Sequence, residues 1–255
     1  MSEALPKISI ISCCYNSANT IRETLDSVAR QDYPNIEHIL VDGMSTDNSM
    51  EIIRSYEHVT ACISEKDEGM YDAMNKGIQL ATGQYVGILN SDDFLSSADT
   101  ISTLAHTLIT TKADAVIGDI KFVRPDNLNK TIRYYSAKNW HPGKFEWGYM
   151  PPHPSFYVKR EMYNSLGLYK TDYKICADYE LLVRYLKVHK ITYHYIPECI
   201  VTMRGGGISN ASLKNRYILN KEIVRACREN GLRTSLPKIS LKVFRKLFEY
   251  IKLKH

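Results

Sequence analysis

The sequence lacks long hydrophobic runs: its uninterrupted apolar stretches are a few residues each, far short of the roughly 18 to 20 that cross a bilayer. The opening MSEALPK has no secretory-signal pattern, so a cytoplasmic protein is expected. Cysteines stand at 13, 14, 62, 176, 199 and 227, with no C-x-x-C pair and no histidines at zinc-finger spacing. A structural zinc site is therefore not expected. Cys13 and Cys14 end a predicted core strand, where packing rather than nucleophilic catalysis is expected. No G-x-G-x-x-G follows the first apolar run, where SCCYNSANT stands instead, and G-x-x-x-x-G-K-[ST] is absent. Dinucleotide-binding dehydrogenases and P-loop enzymes are disfavoured accordingly.

What is present is enough chain, 255 residues, for one large α/β domain with or without a small appendage. The net charge of +5 is unevenly placed. From Arg233 onward stand Arg233, Lys238, Lys242, Arg245, Lys246, Lys252 and Lys254 against Glu249 alone, so the rest of the chain is close to neutral. No basic character marks the body as a nucleic-acid binder.

Apolar runs alternate with helix-period segments through the first 120 residues. KISIISC, IEHILVD, VTACIS, YVGILN and ADAVIGDI read as strands, with helices at about 20–31, 46–56, 69–81 and 97–110 between them. That alternation predicts a mostly parallel sheet flanked by helices. Residues 121–152 break the rhythm and suit an antiparallel extension. A helix is predicted over 177–188, a strand at ITYHYIPECIV, and a loop at RGGGIS.

In an open parallel sheet, ligands bind beyond the carboxyl ends of the strands. Three predicted strand ends carry polar clusters: CYNS, DGMSTD and NSDD. The last sets two aspartates side by side, whose repulsion raises one pKa unless a cation or hydrogen-bond donors relieve it. Asp92 and Asp93 therefore form either a solvated turn or a metal site.

The segments from ISIISCCYNS to DGMSTDNS, DEGMYDAMNKGIQLATGQYVGILNSDD and ADYELLVR, in this order, resemble bacterial family 2 glycosyltransferases of the inverting, GT-A-fold type, over about residues 7–210. The resemblance implies a nucleotide-binding half (1–120), an acceptor half (121–210) and a C-terminal helical extension (211–255). It places Tyr15, Asn16, Asp42, Asp67, Lys76, Asn90 and Asp92 on the nucleotide-sugar donor. Asp92 and Asp93 are implied to hold Mn²⁺ or Mg²⁺, hard cations suited to oxygen ligands. Relatives often carry Asp at the position of Asn90, Arg at Met74 and Glu at Ala177, and this chain departs at all three.

Inverting transfer needs a base to take the acceptor's proton as its oxygen attacks the anomeric carbon. By resemblance that base is Asp178, with Glu180 as the alternative; an Asp in a first helical turn also suits the helix dipole without catalysis. His153 and Arg204 are implied on the acceptor or diphosphate side. Trp140, Trp147 and Tyr149 are candidates for a sugar-stacking face or for the core. No QxxRW sequence occurs, so a single transfer from a UDP-sugar to a saccharide or lipid-linked acceptor is expected. The rivals are a nucleotidyltransferase and a non-catalytic sugar-nucleotide or glycan-binding protein. Finally, Ile239, Val243, Phe244, Leu247, Phe248 and Ile251 recur at helical spacing among the tail's basic residues. Such a helix binds an anionic membrane surface, docks on its own domain or joins two copies.

Overall fold

The computed structural model describes residues 5–206 and 213–240. Its first half is a parallel block: β1 (Ile8–Cys14), β2 (Ile36–Asp42), β3 (Val59–Ser64) and β4 (Tyr85–Ile88) lie in the order β3-β2-β1-β4. The crossovers are α1 (Ile21–Ala29), α2 (Ser49–Arg54) and α3 (Met70–Leu80). Ile11 of β1 pairs with Ile39 on one side and Ile88 on the other. β1 is covered on both faces, so even Ser9 and Ser12 are fully buried, and each spends its hydroxyl on β2: Ser9 donates to Glu37 (2.5 Å), and Ser12 lies 3.0 Å from His38.

Beyond β4 the sheet continues through β5 (Phe94–Leu95), α4 (Thr100–Thr111), β6 (Ala115–Arg124), β7 (Asn127–Tyr135), β8 (Tyr157–Lys159), α5 (Arg160–Leu166), α6 (Ala177–Leu182) and β9 (Tyr193–Arg204), followed by α7 (Leu213–Glu229). β8 lies antiparallel between β4 and β6, while β6 and β9 pair in parallel and β7 returns antiparallel on β6. The result is the mixed α/β, GT-A-type sheet expected, with the antiparallel extension where the rhythm broke. Gly87 makes the β4–β8 pairing possible: a Cβ there would sit 2.2 Å from the Tyr157 ring.

Three boundaries differ from expectation. β4 stops at Ile88, because the chain turns at Ser91–Asp92, where the Asp93 amide donates to Asn90 O (3.0 Å). α2 starts only at Ser49, since Asp47 accepts from the Ser49 amide and hydroxyl and holds the preceding residues in a turn. The helix predicted over 177–188 is α-helical only to Leu182 and π-helical over Val183–Val188.

One core joins both halves. Ile11, Val41 and Val86 of the sheet share a buried cluster with Tyr179 and Leu181 of α6, Ile223 and Cys227 of α7, and Ile239. Lys238 lies 3.0 Å from the Glu146 carboxylate and 4.6 Å from the Trp147 ring centroid. The tail stripe is thus corrected at its start: Ile239 and Lys238 dock on the domain, and residues 241–255 lie outside the described ones. No described helix is long and apolar enough to cross a membrane.

α3 approaches the sheet closely at Gly77, where a Cβ would stand 2.4 Å from Ile11 Cγ2 and 3.2 Å from Val41 Cγ2. Gly77→Ala should therefore destabilise the fold by about 1–3 kcal/mol, the usual cost of overpacking. Denaturant unfolding checks this, and an unchanged midpoint would show that α3 is free to shift outward.

Candidate active site

The loops after β1, β2 and β4 leave the sheet at one edge and are sewn together there. Asn16, in the left-handed region that Asn tolerates (φ 49°), donates its amide to Ser45 Oγ (2.8 Å) and accepts from the Thr46 amide (2.8 Å). The Ser17 amide donates to Ser49 Oγ (2.7 Å) and the Ala18 amide to Asp47 (3.0 Å). The Ser17 and Ser91 hydroxyls, 2.9 Å apart, bring in the third loop.

Asp42, fully buried at the end of β2, accepts from Ser64 Oγ (2.6 Å), the Ser45 amide (3.1 Å) and the Ser45 hydroxyl. It holds the turn beneath the site. Above it, Gly43 admits two neighbours: its missing Cβ would lie 2.5 Å from an Asp67 oxygen and 3.6 Å from the Tyr15 ring. Tyr15 is 63 % exposed, and Asp67 accepts from the Gly69 amide (2.9 Å) at the start of α3. Tyr15, Asn16, Asp42 and Asp67 are thereby gathered as the sequence suggested.

Lys76 stands beside Asp67 but is already engaged. Its ammonium lies 2.9 Å from Glu65 and 3.2 Å from Asp72 and donates to Lys66 O (2.9 Å), so its charge is already matched and it braces the segment before Asp67. Asn75 exchanges hydrogen bonds with the Tyr169 backbone, and Met74 is buried. The Asn75-Lys76-Gly77 element is a packing element in this chain.

The NSDD carboxylates have opposite environments. Asp92 is exposed. Asp93 is 1 % exposed; one oxygen receives the Asn90 amide (3.3 Å), and the other, Oδ1, has no hydrogen-bond partner among the described residues. Burial, reinforced by the Asp92 charge, raises the Asp93 pKa well above the carboxylate range. Among the described residues no three His, Cys, Asp or Glu side chains cluster as a metal cage, but a cation shared with a diphosphate needs only one or two carboxylates. Asp92 fits that role. Asp93 is withdrawn from solvent, so of the two expected ligands Asp92 is the one that faces outward.

Arg204, at the end of β9, lies behind this acid. Its side chain is 10 % exposed and its Nη2 is 3.2 Å from a Glu23 oxygen, at ion-pair distance but without hydrogen-bond alignment, so Nε and Nη2 are unbonded among the described residues. Its charge offsets part of the rise in Asp93. Gly207 onward in the glycine-rich segment lies outside the described residues.

Asp178 begins α6, half-buried, and accepts from the Tyr179 amide (2.7 Å). Burial lifts its pKa from 3.8 to about 6, against the pull of its hydrogen bonds. Tyr71 of α3 reaches over from the donor side: its hydroxyl donates to Ile175 O (2.6 Å) and lies 3.4 Å from Asp178 Oδ1. Glu180, two residues on, points away. It is fully buried against Arg184 (3.0 Å), Lys170 (3.2 Å) and the Asn230 amide (3.2 Å), with its pKa lowered by Arg184 and Asn230 despite burial. It is an anchor for α6 rather than an alternative base. His153 is also corrected: buried, 2.7 Å from the Tyr169 hydroxyl and pushed down to about 4 by burial, it is neutral and offers no charge to a diphosphate. Trp140 packs edge-on to Phe145 (5.1 Å), in the core rather than on a sugar. Tyr71 and Glu222, described below, were missed because nothing local in their sequence marks the contacts they make.

Residues 9–166 match the family described as Glycosyl transferase family 2. A PGL/p-HBAD biosynthesis glycosyltransferase of Mycobacterium bovis is 29 % identical over 221 residues, 84 % of each chain. An uncharacterised glycosyltransferase of Mycobacterium tuberculosis is 30 % identical over 184 residues, covering 70 % of this chain and 68 % of that one. Among solved structures, S. aureus TarS 1-349 in complex with UDP-GlcNAc aligns with a TM-score of 0.70 at 19 % identity, over 86 % of this chain and 66 % of that one. The mannosyltransferase PcManGT from Pyrobaculum calidifontis, in complex with GDP-Man and Mn²⁺, aligns with a TM-score of 0.62 at 20 % identity, over 95 % and 80 %.

The raised Asp178 pKa has a stability consequence. The folded chain holds this proton more tightly than the unfolded chain, whose value is about 3.9, so ionisation costs stability as pH rises from about 4 to about 6. Asp178→Asn removes that cost. Its melting temperature should exceed the parent's above pH 6, by the equivalent of on the order of 2 kcal/mol, with the gain vanishing below about pH 4. Equal melting curves across that range would mean that the carboxyl is not withdrawn from water.

Proposed function

We propose that this chain, which belongs to glycosyl transferase family 2, transfers one sugar with inversion from a UDP-sugar to a saccharide or lipid-linked acceptor. The observation that carries the reading is Asp178: a carboxyl at about 6, at a helix start, one tyrosine away from the loop that holds Asp67. Near neutral pH such a group is mostly ionised yet more basic than an ordinary aspartate, as a general base requires. It accepts the proton of the acceptor hydroxyl as that oxygen attacks the anomeric carbon.

On the donor side, Tyr15 offers an exposed ring for a base to stack on, while Asp42, Asn16 and Asp67 set and line the pocket. Mn²⁺ or Mg²⁺ on Asp92 would stabilise the charge of the departing diphosphate. UDP-GlcNAc in TarS and GDP-Man with Mn²⁺ in PcManGT support a nucleotide-sugar and a cation. The mycobacterial relative's name supports a glycoconjugate acceptor.

The test is donor turnover with and without acceptor. Chelation should abolish transfer and Mn²⁺ or Mg²⁺ restore it, while Asp178→Asn should keep donor affinity and lose roughly 10² to 10⁴ in turnover. Full activity of Asp92→Ala in chelator would remove the metal from the mechanism. Donor binding without any release of nucleoside diphosphate would instead favour a non-catalytic binding protein.

The same reading places the protein on the cytoplasmic face of a membrane through residues 241–255, whose basic and apolar residues alternate. Deleting them while keeping the docked Ile239 should abolish salt-sensitive binding to anionic vesicles and spare transfer to a water-soluble acceptor. Loss of donor binding on deletion would mean that the segment packs on the domain.

A further inference from the structure

The turn that leads into α6 is gripped from both flanks. From α7, one Glu222 oxygen accepts the Lys174 amide (2.8 Å), and the other accepts those of Ile175 (2.9 Å) and Cys176 (3.0 Å). From α3, the Tyr71 hydroxyl donates to Ile175 O (2.6 Å) and stands 3.4 Å from Asp178 Oδ1. A single residue, Ile175, thus gives its amide to one flank and its carbonyl to the other.

We infer that Glu222 and Tyr71 are positioning residues that fix the 174–176 turn and thereby the place of the Asp178 carboxyl. The inference rests on Asp178 being the base. It goes beyond that reading by assigning a role to α7, which has no part in the donor loops, and to Tyr71, which the sequence reading gave none.

The geometry has an electrostatic counterpart. After burial, the charge of Glu222 helps to raise Asp178, whereas the Tyr71 hydroxyl and the Tyr179 amide lower it. The other titratable groups near Asp178 are Tyr169 ahead of the turn, buried and with its pKa raised by that burial, and the buried Cys176 within it. Removing the Glu222 charge and removing the Tyr71 hydroxyl should therefore move Asp178 in opposite directions. Loss of mere structural support would not produce opposite signs.

The experiment is the pH dependence of kcat for transfer by the full chain with Mn²⁺ and a UDP-sugar found to be turned over. Glu222→Gln should lower kcat and shift the acidic limb down by about half to one pH unit, leaving donor KM within about twofold. Tyr71→Phe should shift the limb up. Glu222→Asp keeps the charge but shortens the reach, so it should lower kcat with the limb in place, and with Tyr71→Phe it serves if Glu222→Gln does not fold. Unmoved limbs in Glu222→Gln and Tyr71→Phe, or a limb moved by Glu222→Asp, would overturn the inference. Asp178→Asn separates the two readings: if it retains full turnover, the base assignment itself fails, and if it is inactive while the limbs stay fixed, only the positioning role falls.

Discussion

Parallel strands can be joined only by crossovers, so neighbouring parallel strands send their following loops out at the same edge. β1, paired in parallel with β2 and β4, is where this constraint acts. It brings the loops beginning at Tyr15, Gly43 and Leu89 within hydrogen-bond distance across 29 to 74 residues of sequence. Once those loops meet, side chains of low helical or strand propensity (Asn16, Ser17, Ser45, Asp47, Ser91) find partners in one another rather than in regular structure. The packing beneath must be close for this to hold, and Gly77 and Gly87 supply that closeness on α3 and β4.

Above that frame, two acids are kept out of water for different ends. Asp93 is buried beside Arg204 with polar atoms unbonded on both side chains among the described residues. Buried polar groups without partners cost stability, so this is strain stored directly behind the exposed Asp92. Asp178 is half-buried as a residue, and burial lifts its carboxyl to about 6. The first environment disfavours a charge beside the exposed Asp92; the second leaves Asp178 more basic than an ordinary aspartate. Both disfavour the ionised acid in the fold, which is the usual trade of stability for function.

How much of this was legible follows from what each feature depends on. The parallel block was readable because strands such as ISIISCC are apolar on both faces and helices keep their 3.6-residue period. β8 was not, being three residues long and defined by the sheet positions it fills. The π-helical winding after Leu182 has no periodic signature distinct from an α-helix over so few residues. Among site residues, Tyr15, Asn16, Asp42 and Asp67 follow strand ends and could be placed by topology. Lys76, Glu180 and His153 were typed correctly by chemistry but misplaced in role, because a charge or imidazole says nothing about whether Asp72, Arg184 or Tyr169 already occupies it.

The remaining feature, the start of α6, shows why support from α3 and α7 is needed at all. A helix N-terminus presents unpaired amides that favour a nearby carboxylate and depress its pKa. An aspartate placed there to act as a base is therefore weakened by the element that holds it. In this fold the amides of the turn before α6, those of Lys174, Ile175 and Cys176, are taken up by Glu222, while Asp178 accepts the Tyr179 amide and a long contact from Tyr71. Glu222 is held in turn by α7, whose Ile223 and Cys227 sit in the shared core and whose neighbour Asn230 donates to Glu180 of α6. The helix α7 is thus tied to α6 through both the turn before it and the buried acid within it. A carboxyl whose burial outweighs the pull of its helix amide, and whose flanking turn is fixed from α7, meets demands that α6 alone would set against each other.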